Sequence, residues 1–484
     1  MEDQTSERPT ERPNRTGTSP FPIGRVRRSL PVVNVAARTT GEAIIASLRK
    51  RAGGDPGKYH ERTAARYAEL MGRSKGVLMK AGQLLSFVPM GPAVPGEHRA
   101  IYQSALGRLQ AEAPPMEPAL VAETVEAELG SRPEKVFSEF SVRPLAAASI
   151  GQVHVARLHD GRQVAVKIQY PGVEQAMRAD LKNGELLATF LQLSRTVVPG
   201  FNRMNMRVIA KEISERITEE LDYQMEAANQ AEFADCYRGH PFIHVPDVIP
   251  ELSTRRILTQ DLAEGMRWSQ ALSATKELRD CWGEIIWRFF VGSLRRLGLF
   301  NADPHPGNYL FHADGTMTFL DFGCTKRYTP EQVSIMKRVV SATKRGDAQT
   351  VWRSLVELGL FDPTNAPSPE AALGWQRSSG LISVIAPQPY TFTPEDSATI
   401  IREEFSPVGE VMRQMDVPAD FVFISRIDLG MTAVLGELGS TGYWESIQAE
   451  YDEGRDPITD LGKQDAAFWA DNLPRIADGR FAAS

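Results

Sequence analysis

Two short polar motifs constrain this chain more tightly than anything else in it. One reads Asn301-Ala302-Asp303-Pro304-His305-Pro306-Gly307-Asn308 and the other Asp321-Phe322-Gly323. Asp303 and Asn308 are five positions apart, and Asp321 lies thirteen beyond Asn308. Between them, alternating stretches at 309–312 and 317–320 flank Ala313-Asp314-Gly315, the pattern of a β-hairpin. Phosphoryl transfer from ATP needs such a set: one carboxylate to orient or deprotonate the acceptor, and an amide with a second carboxylate to hold Mg2+ on the phosphates. Asp303 takes the first role, Asn308 and Asp321 the second, since hard oxygen ligands suit Mg2+. A Pro-rich surface turn with a chance Asp-Phe-Gly would not reproduce the spacing. His305 has no second histidine at ligand spacing and reads as part of the turn.

A second hairpin lies upstream. Residues 153–158 and 163–168 alternate apolar and polar around His159-Asp160-Gly161-Arg162. Its second strand, Val164-Ala165-Val166-Lys167, carries a lysine that reaches α- and β-phosphates as a point charge, held by a glutamate. Before the hairpin, Ala146-Ala147-Ala148-Ser149-Ile150-Gly151 stands where a phosphate-covering loop belongs. Ala146, Ala147, Ala148, Ser149 and Gly151 are therefore candidate nucleotide contacts. Alanines present backbone N–H groups to phosphate but do not adopt positive φ cheaply, so the loop should be stiff.

The rest of the chain organises around these parts. The 484 residues are too many for one ordinary core, and 42% hydrophobic with 24% charged residues is normal for a globular protein. The net charge of −6 argues against nucleic acid as the main partner. Cys236, Cys281 and Cys324 are scattered singly, which excludes a zinc ribbon or disulfide framework and fits a reducing cytoplasm. Residues 1–30 read as a disordered, solvated tail without a secretory signal. Residues 31–130 form a helical extension, with helices at 59–88, 97–109 and 117–129, the last ending at Gly130. Residues 131–262 form a small β-rich lobe with helices at 173–193 and 206–237 and short strands at 245–249 and 256–260. Residues 263–484 form a helical lobe. The apolar stretch 282–300 is interrupted by Glu284, Arg288, Arg295 and Arg296, so it reads as a buried amphipathic helix and no membrane span. The fold class is α+β, a two-lobed protein-kinase-like fold with an N-terminal helical extension and a helical C-lobe.

The chain resembles the UbiB/AarF-type atypical kinases, the aarF-domain kinases associated with coenzyme Q biosynthesis. The resemblance covers roughly residues 58–350 and rests on five signatures in order. These are Lys80-Ala81-Gly82-Gln83 (KxGQ), the alanine-rich loop, Lys167, Glu220-Leu221-Asp222 (ExD) with Tyr223 and Glu226-Ala227-Ala228-Asn229, and the pair Asp303–Asn308 and Asp321–Gly323. The resemblance implies ATP or ADP with Mg2+ as ligands and a KxGQ helix folded over the site. There Gln83 would face the phosphates and Lys80 would pair with Glu220 or Asp222. A glutamate earlier on the ExD helix, Glu215 or Glu212, is a candidate partner for Lys167. Residues 257–265 align with the hinge strand, so backbone near Asp261–Ala263, including Asp261 and Ala263 themselves, would meet adenine.

Two departures bear on function. Asn301 replaces the histidine that usually opens the loop but can still donate a hydrogen bond to the turn. Ala302 replaces the arginine that pairs with an activation-loop phosphate in ordinary kinases, which argues against control by loop phosphorylation. The C-terminal transmembrane helices of some family members are not found, so a soluble or peripheral membrane protein is implied. The leading function is an ATP-dependent phosphotransferase or ATPase serving small-molecule or lipid substrates of the isoprenoid quinone type. The alternatives are a nucleotide-binding pseudokinase regulator and a protein kinase acting in trans. The complete set of Lys167, Asp303, Asn308 and Asp321 argues against the regulator, and a KxGQ helix over the docking groove argues against the protein kinase. The oligomeric state and the role of residues 350–484 stay open.

Overall fold

The computed structural model describes residues 116–148, 150–182, 214–215, 217–378, 381–404, 411 and 419–481. The KxGQ segment with Lys80 and Gln83, the tail 1–30, Ser149, Glu212 and the helices expected at 59–88 and 97–109 lie outside them.

Helix α1 (Pro118–Leu129) starts with proline at its first position and stops at Gly130, whose φ of 74° closes the last turn. The small lobe is a five-stranded antiparallel sheet in the order β1-β3-β4-β6, with β2 also paired to β3. Its strands are β1 (Glu139–Phe140), β2 (Ala146–Ala147), β3 (Gly151–Arg157), β4 (Gln163–Gln169) and, after an excursion, β6 (Ile257–Asp261). Alternation along β4 puts Val164, Val166 and Ile168 into the core against Val125, Phe137 and Ile257, which leaves Lys167 on the opposite, cleft-facing side. Gly151 faces Lys167's strand so closely that a Cβ there would sit 2.1 Å from the Ile168 carbonyl oxygen. The glycine serves strand packing.

Helix α2 (Val173–Lys182) follows β4. The helix expected as one run from 206 to 237 is interrupted. Leu221 turns out of the helix, and Asp222 starts a new one, α3 (Tyr223–Tyr237), accepting the N–H groups of Gln224 and Met225 at 3.0 and 3.4 Å. An aspartate able to cap two orphan donors makes the break favourable. The strand expected at 245–249 forms instead at β5 (Ile243–His244), parallel to residues 317–318, and residue 248 makes only a single bridge to Gln260.

The large lobe is built on α4 (Lys276–Trp287), which continues as a π-helix over Arg288–Leu297. Burial along this run is as its amphipathic pattern requires, with Trp282, Ile285, Ile286, Phe289 and Phe290 in the core. Gly298, at φ 62°, ends it and turns the chain into β7 (Leu299–Asn301). The expected hairpin is present as β8 (Tyr309–Phe311) and β9 (Met317–Phe319). Next, β10 (Thr325–Arg327) pairs antiparallel with β7, and α5 (Pro330–Arg345) begins immediately behind a Thr329 capping box. Further helices complete the lobe, of which α6 (Trp444–Asp452) and α7 (Asp460–Phe481) pack against the π-helical run through Glu450, Tyr451 and Asp465. Among the described residues no helix is long and apolar enough to cross a membrane.

Candidate nucleotide site

The two polar motifs at 301–308 and 321–323 are laced together by their backbones. The Ala302 N–H donates to the Cys324 carbonyl at 2.7 Å, and the Leu320 N–H to the Asn308 carbonyl at 3.0 Å. Asn301 does the work expected of the usual histidine. Its amide N–H donates to the Asp321 carbonyl at 2.8 Å while its Oδ1 accepts the Asp303 N–H at 3.0 Å. One side chain thus fixes both acidic positions. His305 Nδ1 accepts the Gly307 N–H at 3.0 Å and shapes the turn. Asn308 Nδ2 donates to Asp303 Oδ2 at 3.2 Å, so its amide oxygen is not used in that contact. Asp321 Oδ1 accepts the Gly323 N–H at 3.0 Å.

Lys167 comes to the same place from the small lobe. Its ammonium donates to Glu226 Oε1 and Oε2 at 2.8 and 2.9 Å and lies 3.6 Å from Asp321 Oδ2. The Tyr223 ring lies beneath it, 4.8 Å from Nζ to the centroid. Burial alone would pull the ammonium down, but Asp321 and Glu226 overcome it and hold Lys167 well above the usual lysine range. Glu226 responds the other way: burial outweighs the nearby ammonium and pushes its carboxyl up to about 7.

The glutamate holding Lys167 is therefore Glu226, not Glu215 or Glu212. Reading 206–237 as one helix hid this. Once Asp222 caps a new helix, Glu226 falls one turn inside it, on the face turned to β4. The N-cap chemistry of Asp222 ahead of Glu226 was the available signal. Of the ExD pair, Asp222 is occupied as that cap, and Glu220 lies half-buried in the preceding turn. Ala146 and Ala147 are strand residues opposite Val153 and Gln152, and the Ala148 N–H donates to the Gly151 carbonyl at 2.9 Å. That N–H is spent inside the hairpin. In the segment expected to act as the hinge, the Asp261 N–H is bonded to the Asp247 carbonyl and the Leu262 N–H to the Gln163 carbonyl, with Ala263 the next residue along.

Hard oxygen donors on Asn308 and Asp321 beside a fixed ammonium fit Mg2+ and a polyphosphate in chemistry, so the residues present suit the group their motifs imply.

A small antiparallel lobe set on a helical lobe, with this cluster at their junction, defines a protein-kinase-like fold. Comparison with known proteins narrows it. The model described as the ABC1 atypical kinase-like domain matches residues 108–355, and the chain belongs to that family, the UbiB/AarF-type atypical kinases. It is 32% identical over 267 residues to Protein ACTIVITY OF BC1 COMPLEX KINASE 8, chloroplastic, of Arabidopsis thaliana, covering 54% of this chain and 35% of that protein. An uncharacterized aarF domain-containing protein kinase of the same plant is 33% identical over 266 residues, covering 54% of this chain and 37% of its own length. The chain thus spans little more than a third of these curated relatives. Among solved structures, the Rv3197–erythromycin complex from Mycobacterium tuberculosis superposes with a TM-score of 0.56 at 29% identity, over 85% of this chain and 98% of that one.

Proposed function

We propose that the chain binds ATP with Mg2+ in this cleft and transfers or hydrolyses its γ-phosphoryl group in the service of a small, lipid-linked acceptor of the isoprenoid quinone type. The observation that carries the reading is the convergence of Lys167, Glu226 and Asp321 within hydrogen-bond and ion-pair range from three separate elements. Lys167 binds α- and β-phosphate oxygens, and Glu226 keeps it extended. Asn308 and Asp321 hold Mg2+, which when bound neutralises charge on the transferred group. Asp303, fixed through Asn301 and Asn308, orients the acceptor hydroxyl or water. The Ala146–Gly151 hairpin covers the phosphates, and the backbone at 261–263 takes the adenine.

A small acceptor is favoured over a protein because only residues 324–329 separate Gly323 from Pro330. Of these, Thr325–Arg327 form β10 against β7, leaving no extended platform for a peptide. The KxGQ segment belongs to the same proposal: Lys80 pairs with Glu220 or Asp222, and Gln83 approaches the phosphates. The erythromycin bound in the mycobacterial relative adds a macrolide to the apolar ligands worth testing. Steady-state ATP hydrolysis, with and without short-chain quinone precursors or erythromycin, tests the reading. Turnover that disappears in Asp321→Asn and Lys167→Ala supports it. Nucleotide binding with no turnover under any of these conditions replaces it with the regulator.

A further inference from the structure

Helix α3 presents three residues of one face to the Asp-Phe-Gly turn, at the i, i+3 and i+7 positions that share a helix side. Glu226 holds Lys167. The Phe233 ring packs on the Phe322 ring at 4.9 Å between centroids. Between them Asn229, only 5% exposed, donates its amide N–H to the Phe322 carbonyl at 3.1 Å and accepts from the Arg327 guanidinium at 3.0 Å. A carbonyl can only accept and a guanidinium can only donate, so the two partners fix which way the amide points. Arg327, on β10, also pairs with Glu232 of α3 at 2.6 Å. The helix, the metal-binding turn and the strand behind it are thereby joined through one buried side chain.

We propose that Asn229 is a positioning residue for the metal-binding carboxylate. By holding the Phe322 backbone it keeps Asp321 aimed into the cleft, with Arg327 as the clamp that orients the amide. Ordinary kinases assemble this region on activation-loop phosphorylation. Here β10 is too short for that, and Ala302 offers no arginine, so a permanent Arg327–Asn229–Phe322 bridge takes over. The proposal rests on the nucleotide reading of the cleft and adds how that site stays assembled.

Asn229→Asp is nearly isosteric, keeps an acceptor for Arg327 and sets a carboxylate oxygen against the Phe322 carbonyl. Calorimetric titration of the full chain with ATP is compared with Mg2+ and in EDTA. Loss of a buried hydrogen bond on this turn should weaken Mg·ATP binding about tenfold while leaving the affinity in EDTA unchanged. Arg327→Met, at a half-exposed position, should weaken Mg·ATP binding about two- to fivefold with the same Mg2+ selectivity. It carries the test if Asn229→Asp does not fold. Equal losses with and without Mg2+, or no loss, overturn the positioning role. If these variants match the parent but Lys167→Ala abolishes binding, the nucleotide reading survives without the bridge. If the parent binds no ATP, both fall.

Discussion

Two clusters of buried charge sit in this molecule and are resolved in opposite ways. In the cleft, one ammonium, Lys167, faces the carboxylates of Glu226 and Asp321, and Asp321 keeps a third of its side chain open to solvent. Behind the large lobe, Asp465 is wholly buried and crowded with donors. His240 Nε2 and Trp469 Nε1 approach Oδ1 at 3.1 and 2.9 Å, while Arg296, Arg288 and Tyr451 approach Oδ2 at 2.7, 3.4 and 3.3 Å. Burial alone would raise the Asp465 carboxyl. The His240 hydrogen bond and the two guanidiniums reverse that and hold it at about 2. Asp465, ringed by donors, is held in its charged form, whereas Glu226 is pushed up to about 7 by burial despite its ammonium. The Asp465 cluster is finished when the chain folds and ties α7 to the π-helical run. The Lys167 cluster keeps one carboxylate, Asp321, open toward the cleft.

This contrast is broken most severely at the finished cluster. Asp465→Ala leaves Arg296 buried without the carboxylate it pairs with, while Arg288 keeps Glu284 and Glu450, and should cost about 3–5 kcal/mol, a large part of a typical domain's stability. Scanning calorimetry checks it. Lys167→Ala should lower the apo melting temperature far less, because Glu226 can take up a proton. Yet it should abolish ligand stabilisation, which for a nucleotide at 100 times its Kd is about 2.7 kcal/mol. If Lys167→Ala destabilises the apo protein as much as Asp465→Ala, the two clusters are not different in kind.

The pH dependence sharpens the comparison because the signs differ. Asp465 is depressed, so its contribution is present above its ordinary value near 4 and is lost as pH falls toward 2, a loss of about 2 kcal/mol. Glu226 is raised, so its contribution is full below its ordinary value near 4.5 and is lost as pH rises through about 7. Melting curves of Asp465→Asn should therefore flatten in the acid window alone, and those of Glu226→Gln between pH 5 and 7 alone. The smallest effect belongs to the exposed network of Arg455, Glu445 and Glu453. Solvent screens these pairs, so Arg455→Ala should move stability by about 0.5 kcal/mol or less.

The parts legible in the sequence were those with local signatures. Alternation exposed both hairpins, and Gly130 marked the end of α1. The spacing of Asp303, Asn308 and Asp321 placed them at the two ends of one hairpin, and the role of Asn301 followed from its donor chemistry. What escaped needed contacts between distant segments. Glu226 meets Lys167 across residues 167–226, and the partner could be chosen only once Asp222 was seen to break the helix. Asn229 and Arg327 leave no mark on local periodicity, because each acts through a backbone carbonyl or a side chain far along the chain. The role of 350–484 was equally hidden: Arg288, read merely as a charge that forbids a membrane span, is the buried anchor for Glu450 of α6 at 2.7 Å.

The central claim, that Lys167 and Asp321 share one magnesium-bound triphosphate, is tested most directly by titrating Mg·ATP into the full chain and into Asp321→Asn by calorimetry. The account predicts one site per chain in the parent and an affinity more than about tenfold weaker in the variant. Equal affinity in the two proteins would contradict it.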